Sequence, residues 1–320
     1  MGVFLGYVSP KGHAFLDRRL YLPKGWCEDR ERLLGAKIPE AAHEFKTKPQ
    51  LALELLERSW SEGIPMQWVV ADTTYGNSPG LRQAIAKQGH YYVMELGARH
   101  QLLYEGKRLS LKSLAATISA EDWLLLSRLG EQGPLTELWA SRRVIMPNDD
   151  LGEQWLLIRR SLADADELSC YLCNAPADTS LSDMVSVAWA RHDIEQLLKE
   201  GKHQLGMADY EVRSWQSARQ RGYGWHRHMT LVMLAHSFLA FKRAQQREKK
   251  LWPTWLSFSV AELRCLLNLF IPLPSLDQAF HLAWFWWRRT QRLRAIACRY
   301  RQALAVPVQL PIGIPLPLPP

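Results

Sequence analysis

The stretch that most restricts how this chain can fold runs from Pro65 to Gly97. A short apolar run, ProMetGlnTrpValValAla (65–71), stops on Asp72. Ser78-Pro79 then opens a helix that closes at Gly89, and His90–Gly97 is a strand again. Strand, helix and strand at this spacing predict a parallel crossover unit, with helices on both faces of a sheet. Asp72 would then sit at the carboxyl end of a central strand, the edge where open α/β sheets take ligands. Its neighbours in AspThrThrTyrGly also suit a helix N-cap or a turn, so a purely structural role stays open.

The segments before and after fit around this unit. Gly2–Ser9 and His13–Leu22 read as two strands joined by Pro10-Lys11-Gly12. Thr47 and Pro49 open a helix that ends near Glu62 and Gly63. Between 98 and 179 the pattern becomes β-rich, with strands expected at Gln101–Arg108, Leu138–Ile145, Gln154–Leu162 and Leu168–Asn174, and a short helix around Ser110–Thr117. Ser182–Gly206 returns to helix, and Trp225–Lys249 is a helix with a nearly all-apolar centre. Ser259-Val-Ala-Glu262 and Ser275-Leu-Asp-Gln278 have capping-box spacing and open two more. From Val306 onward the chain is Pro-rich and reads as a tail outside the fold. The expected organisation is 1–97 as the first part of a core, 98–179 as a β-rich insertion, 180–245 as the end of the core, 246–305 as a helical region and 306–320 as the tail.

Composition narrows the partners. The 320 residues carry a formal charge of +8, which favours polyanions, nucleic acid before anionic membrane. Hydrophobic residues at 47% and charged residues at 22% describe a soluble globular protein. Five cysteines form no disulfide framework and suit a reducing, cytoplasmic setting. Cys170-Tyr-Leu-Cys173 has no second pair, so core packing is favoured over a metal or redox site. The N-terminus lacks the basic region and cleavage site of a secretory signal. The longest apolar run, Met229–Phe241, contains His236 and Ser237 and falls short of the about 20 residues a membrane span needs. No membrane partner is expected.

The chemistry points to Arg191–Lys202. On a helix Arg191, Lys202 and Glu195 fall within about 40° of one another, one carboxylate between two cations. Ile194, Leu197, Leu198 and Leu205 make a neighbouring apolar stripe. An amphipathic helix with salt-bridged flanks explains this spacing as well. Carboxylates from separate elements, converging at a sheet edge, are what a pair of Mg²⁺ ions requires, since Mg²⁺ takes oxygen ligands. Asp72 and Glu195 have the right type, while Arg191 and Lys202 suit phosphate.

These residues resemble the DDE transposases of bacterial insertion sequences. In that family the second Asp ends a strand before Tyr-Gly, as in Asp72-Thr-Thr-Tyr75-Gly76. The Glu helix carries Tyr-x2-Arg-x3-Glu-x6-Lys, of which Arg191, Glu195 and Lys202 match three members; Ala188 holds the Tyr position. LeuTyrLeuProLysGlyTrp (20–26), PheLysThrLysProGlnLeuAla (45–52), TyrGluValArgSerTrp (210–215) and TrpHisArgHisMetThrLeu (225–231) also resemble segments of this group, so the likeness covers about residues 2–245. The resemblance implies a ribonuclease H-like mixed sheet with helices on both faces, interrupted by a β-rich insertion and followed by a helical C-terminal region. It further implies Asp72 and Glu195 as catalytic metal ligands for two Mg²⁺ (or Mn²⁺) ions. Arg191, Lys202, Arg213, Trp225 and Arg227 would contact DNA at transposon ends and target, with a homodimer possible in a synaptic complex.

One departure stands out. The family's first Asp lies on a strand immediately before the opening hairpin, and that strand is absent, which implies an N-terminally truncated chain with impaired turnover. Asp17, flanked by Arg18 and Arg19, is the only acid among the first 27 residues and a weak substitute. Arg219, Arg221, Trp225, His226, Arg227 and His228 suit backbone contact or a solvated loop. The Arg288–Arg301 run suits phosphate or an exposed helix face, and Trp139 and Trp155 suit stacking on a base or packing within the insertion. Three activities stay open: a transposase catalytic domain, a catalytically inactive DNA-binding remnant, and a cellular nuclease on the same fold.

Overall fold

The computed structural model describes residues 1–130, 133–147, 149–162, 164, 167–210, 224–248, 258–270, 282–283, 285–287, 289–290, 292–293 and 296. In chain order the strands are β1 (Gly2–Ser9), β2 (Gly12–Leu20), β3 (Trp68–Ala71), β4 (Tyr91–Leu96), β5 (Gln101–Tyr104), β6 (Lys107–Ser110), β7 (Leu124–Gly130), β8 (Gly133–Ile145), β9 (Glu153–Arg160) and β10 (Leu168–Cys173). The α-helices are α1 (Lys24–Cys27), α2 (Arg30–Gly35), α3 (Lys48–Ser61), α4 (Thr73–Gly76), α5 (Pro79–Lys87), α6 (Leu111–Ala115), α7 (Leu181–Gln204), α8 (Gly224–Glu248) and α9 (Val260–Phe270).

The crossover forms as its sequence requires. β3 and β4 pair in parallel, Ala71 opposite Met94, with α4 and α5 between them. The β-rich stretch then extends the same sheet, because β10 pairs antiparallel with β4 and carries β9 on its other side. The order is β3-β4-β10-β9-β8-β5-β6, with β7 beside β8. This mixed sheet, with helices packed on it, is an α/β architecture consistent with a ribonuclease H-like fold. Cys170 and Cys173 are buried in β10 as free thiols, and burial pushes both up to about 12, as core packing predicts.

One expectation is corrected. Asp72 does not end a central strand: among the described residues β3 is the terminal strand of its sheet, and the β1–β2 hairpin is a separate two-stranded sheet. The two are nevertheless held side by side. The Tyr7 hydroxyl, near the end of β1, donates to the Pro65 carbonyl just before β3, at 2.9 Å. Apolar alternation along β1 sends Val3 to Leu51 and Leu55 of α3, while Phe4 packs with Phe15, Leu197 and Trp225 on the opposite face.

Helix α7 ties both sheets together. Ser180 caps it by accepting from the Asp183 amide at 3.1 Å. Met184, Val185 and Ala188 on its first half bury against Val93, Leu157 and Tyr171 of the large sheet. On its second half Leu197, with Ile194 and Leu198, packs on the hairpin and α8, as the predicted apolar stripe requires. Arg191 and Glu195 fall where the helix passes from one sheet to the other.

Candidate active site

A cavity of about 780 Å³ lies between the hairpin and β3. Met1, Gly2 and Phe4 line one side, Val70, Ala71 and Asp72 the other, and Arg191, Ile194, Glu195, Leu198 and Lys202 of α7 complete it. Five of the sequence-predicted residues therefore border one space: Asp72, Arg191, Glu195, Lys202 and Trp225. Arg227 is exposed on α8 and is not part of this lining. Arg213, Arg219 and Arg221 lie outside the described residues, as do Ser275–Gln278, Arg288, Arg294, Arg299, Arg301 and the 306–320 tail.

Asp72 caps a helix and also borders the cavity. Its Oδ1 accepts from the Thr74 amide at 2.8 Å and caps α4, which fixes the carboxylate where β3 ends. The turn can sit this low because residue 76 is Gly: a Cβ there would lie 2.0 Å from the Glu95 carbonyl oxygen. Arg82 holds the turn from below. It is 1% exposed, donates to the Gly76 carbonyl, and pairs with buried Asp149 at 2.8 Å. Tyr75, also lining the cavity, is pushed up to about 12 by burial and by the nearby Asp72 charge.

Glu195 has an open setting, its side chain 53% exposed. Arg191 Nη1 lies 3.0 Å from Glu195 Oε1 and 3.4 Å from Glu95 Oε2, so one guanidinium joins two acids. His192 Nδ1 is 3.5 Å from Glu195 Oε2. Burial lowers the His192 ring's affinity for a proton, and the Arg128 charge lowers it further.

Glu95 and Arg82 are absent from the sequence-based site. Glu95 had a signal: it is the one acid in the otherwise apolar strand TyrTyrValMetGluLeu, one residue past the Ala71–Met94 pairing and so level with Asp72. Arg82 had none, since its partner Asp149 is remote in sequence.

Other candidates are accounted for by packing. Asp17 is 9% exposed and held by Arg58 at 3.1 Å, with Arg18 and Arg19 nearby, so it is a salt-bridged strand residue away from the cavity lining. Trp225 is 9% exposed and packs on Phe4 at 6.0 Å between ring centroids, which shapes the cavity wall. The His228 ring bonds the Gly206 carbonyl at 2.8 Å. Trp139 is 1% exposed against Tyr171 and Trp189, and Trp155 lies under Arg143 with its Nε1 donating to the Pro176 carbonyl.

An acid that follows a β-strand, a second acid on a crossing helix and the cations Arg191 and Lys202 thus border one cavity on an α/β frame. Residues 1–113 match the family model described as DDE superfamily endonuclease, which is consistent with a DDE transposase. The matched segment includes Asp72 and its strand and stops before Glu195. No curated protein matches the chain. Among the described residues no helix is long and apolar enough to cross a membrane.

Proposed function

We propose that this chain is a transposase-type catalytic domain that cleaves and joins DNA with the help of divalent metal. What carries the reading is the shared cavity: Asp72 and Glu195 border it together with Arg191 and Lys202. The donor set fits the metal, because carboxylate oxygens on separate elements suit Mg²⁺ or Mn²⁺ and both acids reach the same space. Bound there, such ions activate an attacking oxygen and stabilise the leaving one in phosphodiester displacement. Asp72 and Glu195 hold the metal; Arg191 and Lys202 neutralise and orient the scissile phosphate, the first by a bidentate fork and the second as a point charge. Glu95, 3.4 Å from Arg191, would hold that guanidinium with Glu195 on the metal. By the same reading Arg213 and Arg227 are further contacts to transposon ends and target, a homodimer brings two ends together, and the protein works in the cytoplasm on the nucleoid.

Two carboxylates alone are a poor cage. Among the described residues β3 ends its sheet and borders the cavity together with Met1, Gly2 and Phe4 of the hairpin side. A catalytically inactive DNA-binding form is the second reading. The observation that favours it is the Arg191–Glu195 contact at 3.0 Å, which keeps the acid neutralised.

Mg²⁺ or Mn²⁺ titration against DNA carrying candidate terminal repeats, with Asp72→Asn as control, separates the readings. Metal-dependent nicking that Asp72→Asn abolishes supports the transposase. Retarded migration of DNA without nicking supports the inactive form, and cleavage of DNA of any sequence supports a nuclease.

A further inference from the structure

On the far side of the hairpin from β3, three side chains that no part of the proposed reaction uses meet in the core. His13 comes from the start of β2, Glu200 from the second half of α7, and His236 from the middle of α8. His13 Nε2 and His236 Nε2 each lie 2.9 Å from the same oxygen, Glu200 Oε2. The two rings face each other, centroids 5.8 Å apart and planes 27° from parallel. All three side chains are closed off from solvent: His13 is 8% exposed, Glu200 4% and His236 0%.

We infer that His13, Glu200 and His236 form a structural zinc site that clamps the β1–β2 hairpin to α7 and α8. Each residue offers one ligand atom, and the three atoms lie within 4.8 Å of one another. Zinc bonds to imidazole nitrogen and carboxylate oxygen are about 2.0–2.2 Å long, which sets ligand atoms about 3.3 Å apart at tetrahedral angles. The 2.9 Å contacts need to open by only a few tenths of an ångström to admit the ion. Two imidazoles and one carboxylate select a borderline cation such as Zn²⁺ over Mg²⁺, which takes oxygen. The Gln196 amide donates to Glu200 Oε1 at 3.1 Å and so orients the carboxylate.

The electrostatics call for a cation. A carboxylate this buried is neutralised by its own proton, by a charged imidazole or by a bound cation, and two imidazole nitrogens on one oxygen suit the last. His236 is a poor carrier of charge: its Nδ1 is buried and has no hydrogen-bond partner among the described residues, so an imidazolium there would bury an unsatisfied charged donor. Zinc neutralises Glu200 and leaves both rings uncharged. Burial this deep also denies a substrate access, which makes the role structural.

The experiment is metal analysis of the full chain, loaded with Zn²⁺ and freed of excess by gel filtration, with Mg²⁺ as the comparison. One tightly held zinc per chain is expected, with a melting temperature that falls on chelation. Glu200→Gln, close to isosteric, should weaken zinc binding by about 100-fold or more and remove the response to chelator. The double variant Asp72→Asn/Glu195→Gln should keep its zinc, so this site and the proposed catalytic site succeed or fail independently. Cobalt substitution of the wild-type chain gives a second readout, visible absorption typical of nitrogen and oxygen ligands, should a variant fail to fold. A wild-type chain that melts cooperatively yet retains no zinc overturns the inference. So does zinc retained equally by Glu200→Gln and His236→Gln.

Discussion

Helix α7 carries two glutamates five positions apart that live in opposite worlds. Glu195 is half-exposed, lines the cavity and pairs with Arg191. Glu200 is buried between two imidazoles. Burial works to raise the Glu200 carboxyl, but hydrogen bonds from His13 and His236 outweigh it and bring it down to about 2. The helix therefore has an open end suited to exchanging ligands and a closed end suited to fixing structure. A charge that must meet substrate stays near water and accepts weak pairing. A charge that must hold elements together can be desolvated, because its partners never leave.

The largest effect should come from the closed end. Glu200→Ala strips the shared acceptor from both His13 and His236 and opens a buried polar hole. Breaking a buried charge cluster of this kind costs about 3–5 kcal/mol. Denaturant unfolding of the variant should show that loss with an unchanged slope. A loss no larger than a typical surface substitution would erase the contrast between the two ends.

An intermediate effect should follow at the seat of the open site. In Gly76→Ala the new Cβ would meet the Glu95 carbonyl oxygen at 2.0 Å and its carbonyl carbon at 3.0 Å. These are backbone atoms of β4 and cannot rotate away, so α4 must lift. Overpacking of this kind costs about 1–3 kcal/mol. The lift also carries Asp72 off the end of β3, so divalent-metal affinity should fall with stability. Thermal unfolding and metal titration check the two halves separately, and normal metal affinity in a destabilised variant would show that the Asp72 position does not depend on this turn.

Much of this arrangement was legible in the residues, for reasons that differ by element. The β3–α5–β4 crossover was readable because period, caps and Gly89 agree locally, and Thr47 with Gln50 forms the expected capping box of α3. The apolar stripe of α7 was readable because helical spacing fixes which side chains share a face. Which strand is central was not, since strand order is set by pairing between segments far apart in the chain. For the same reason Arg82 escaped notice, as its partner Asp149 lies 67 residues on. The buried His13–Glu200–His236 cluster draws on three distant elements, so no spacing rule could reveal it. For Trp225 and Asp17, composition identifies a polar or aromatic side chain but not whether a neighbour covers it.

The smallest effect on stability should come from Glu195→Gln, and that near-silence is the sharpest test of the contrast. The variant keeps shape and hydrogen-bonding capacity and removes one charge from a side chain that is 53% exposed. Exposed pairs contribute about 0–1 kcal/mol, and Arg191 retains Glu95 at 3.4 Å as a second partner. Unfolding free energy should therefore shift by no more than about 0.5 kcal/mol, the range of surface substitutions away from special features. Divalent-metal binding at the cavity should weaken severely in the same protein, because half of the described carboxylate pair is gone. Stability and metal affinity thus separate at Glu195, whereas at Glu200 folding and zinc are lost together. A Glu195→Gln chain that unfolds several kilocalories more easily would mean that the Arg191 pair is structural, and that α7 is a pinned strut along its whole length.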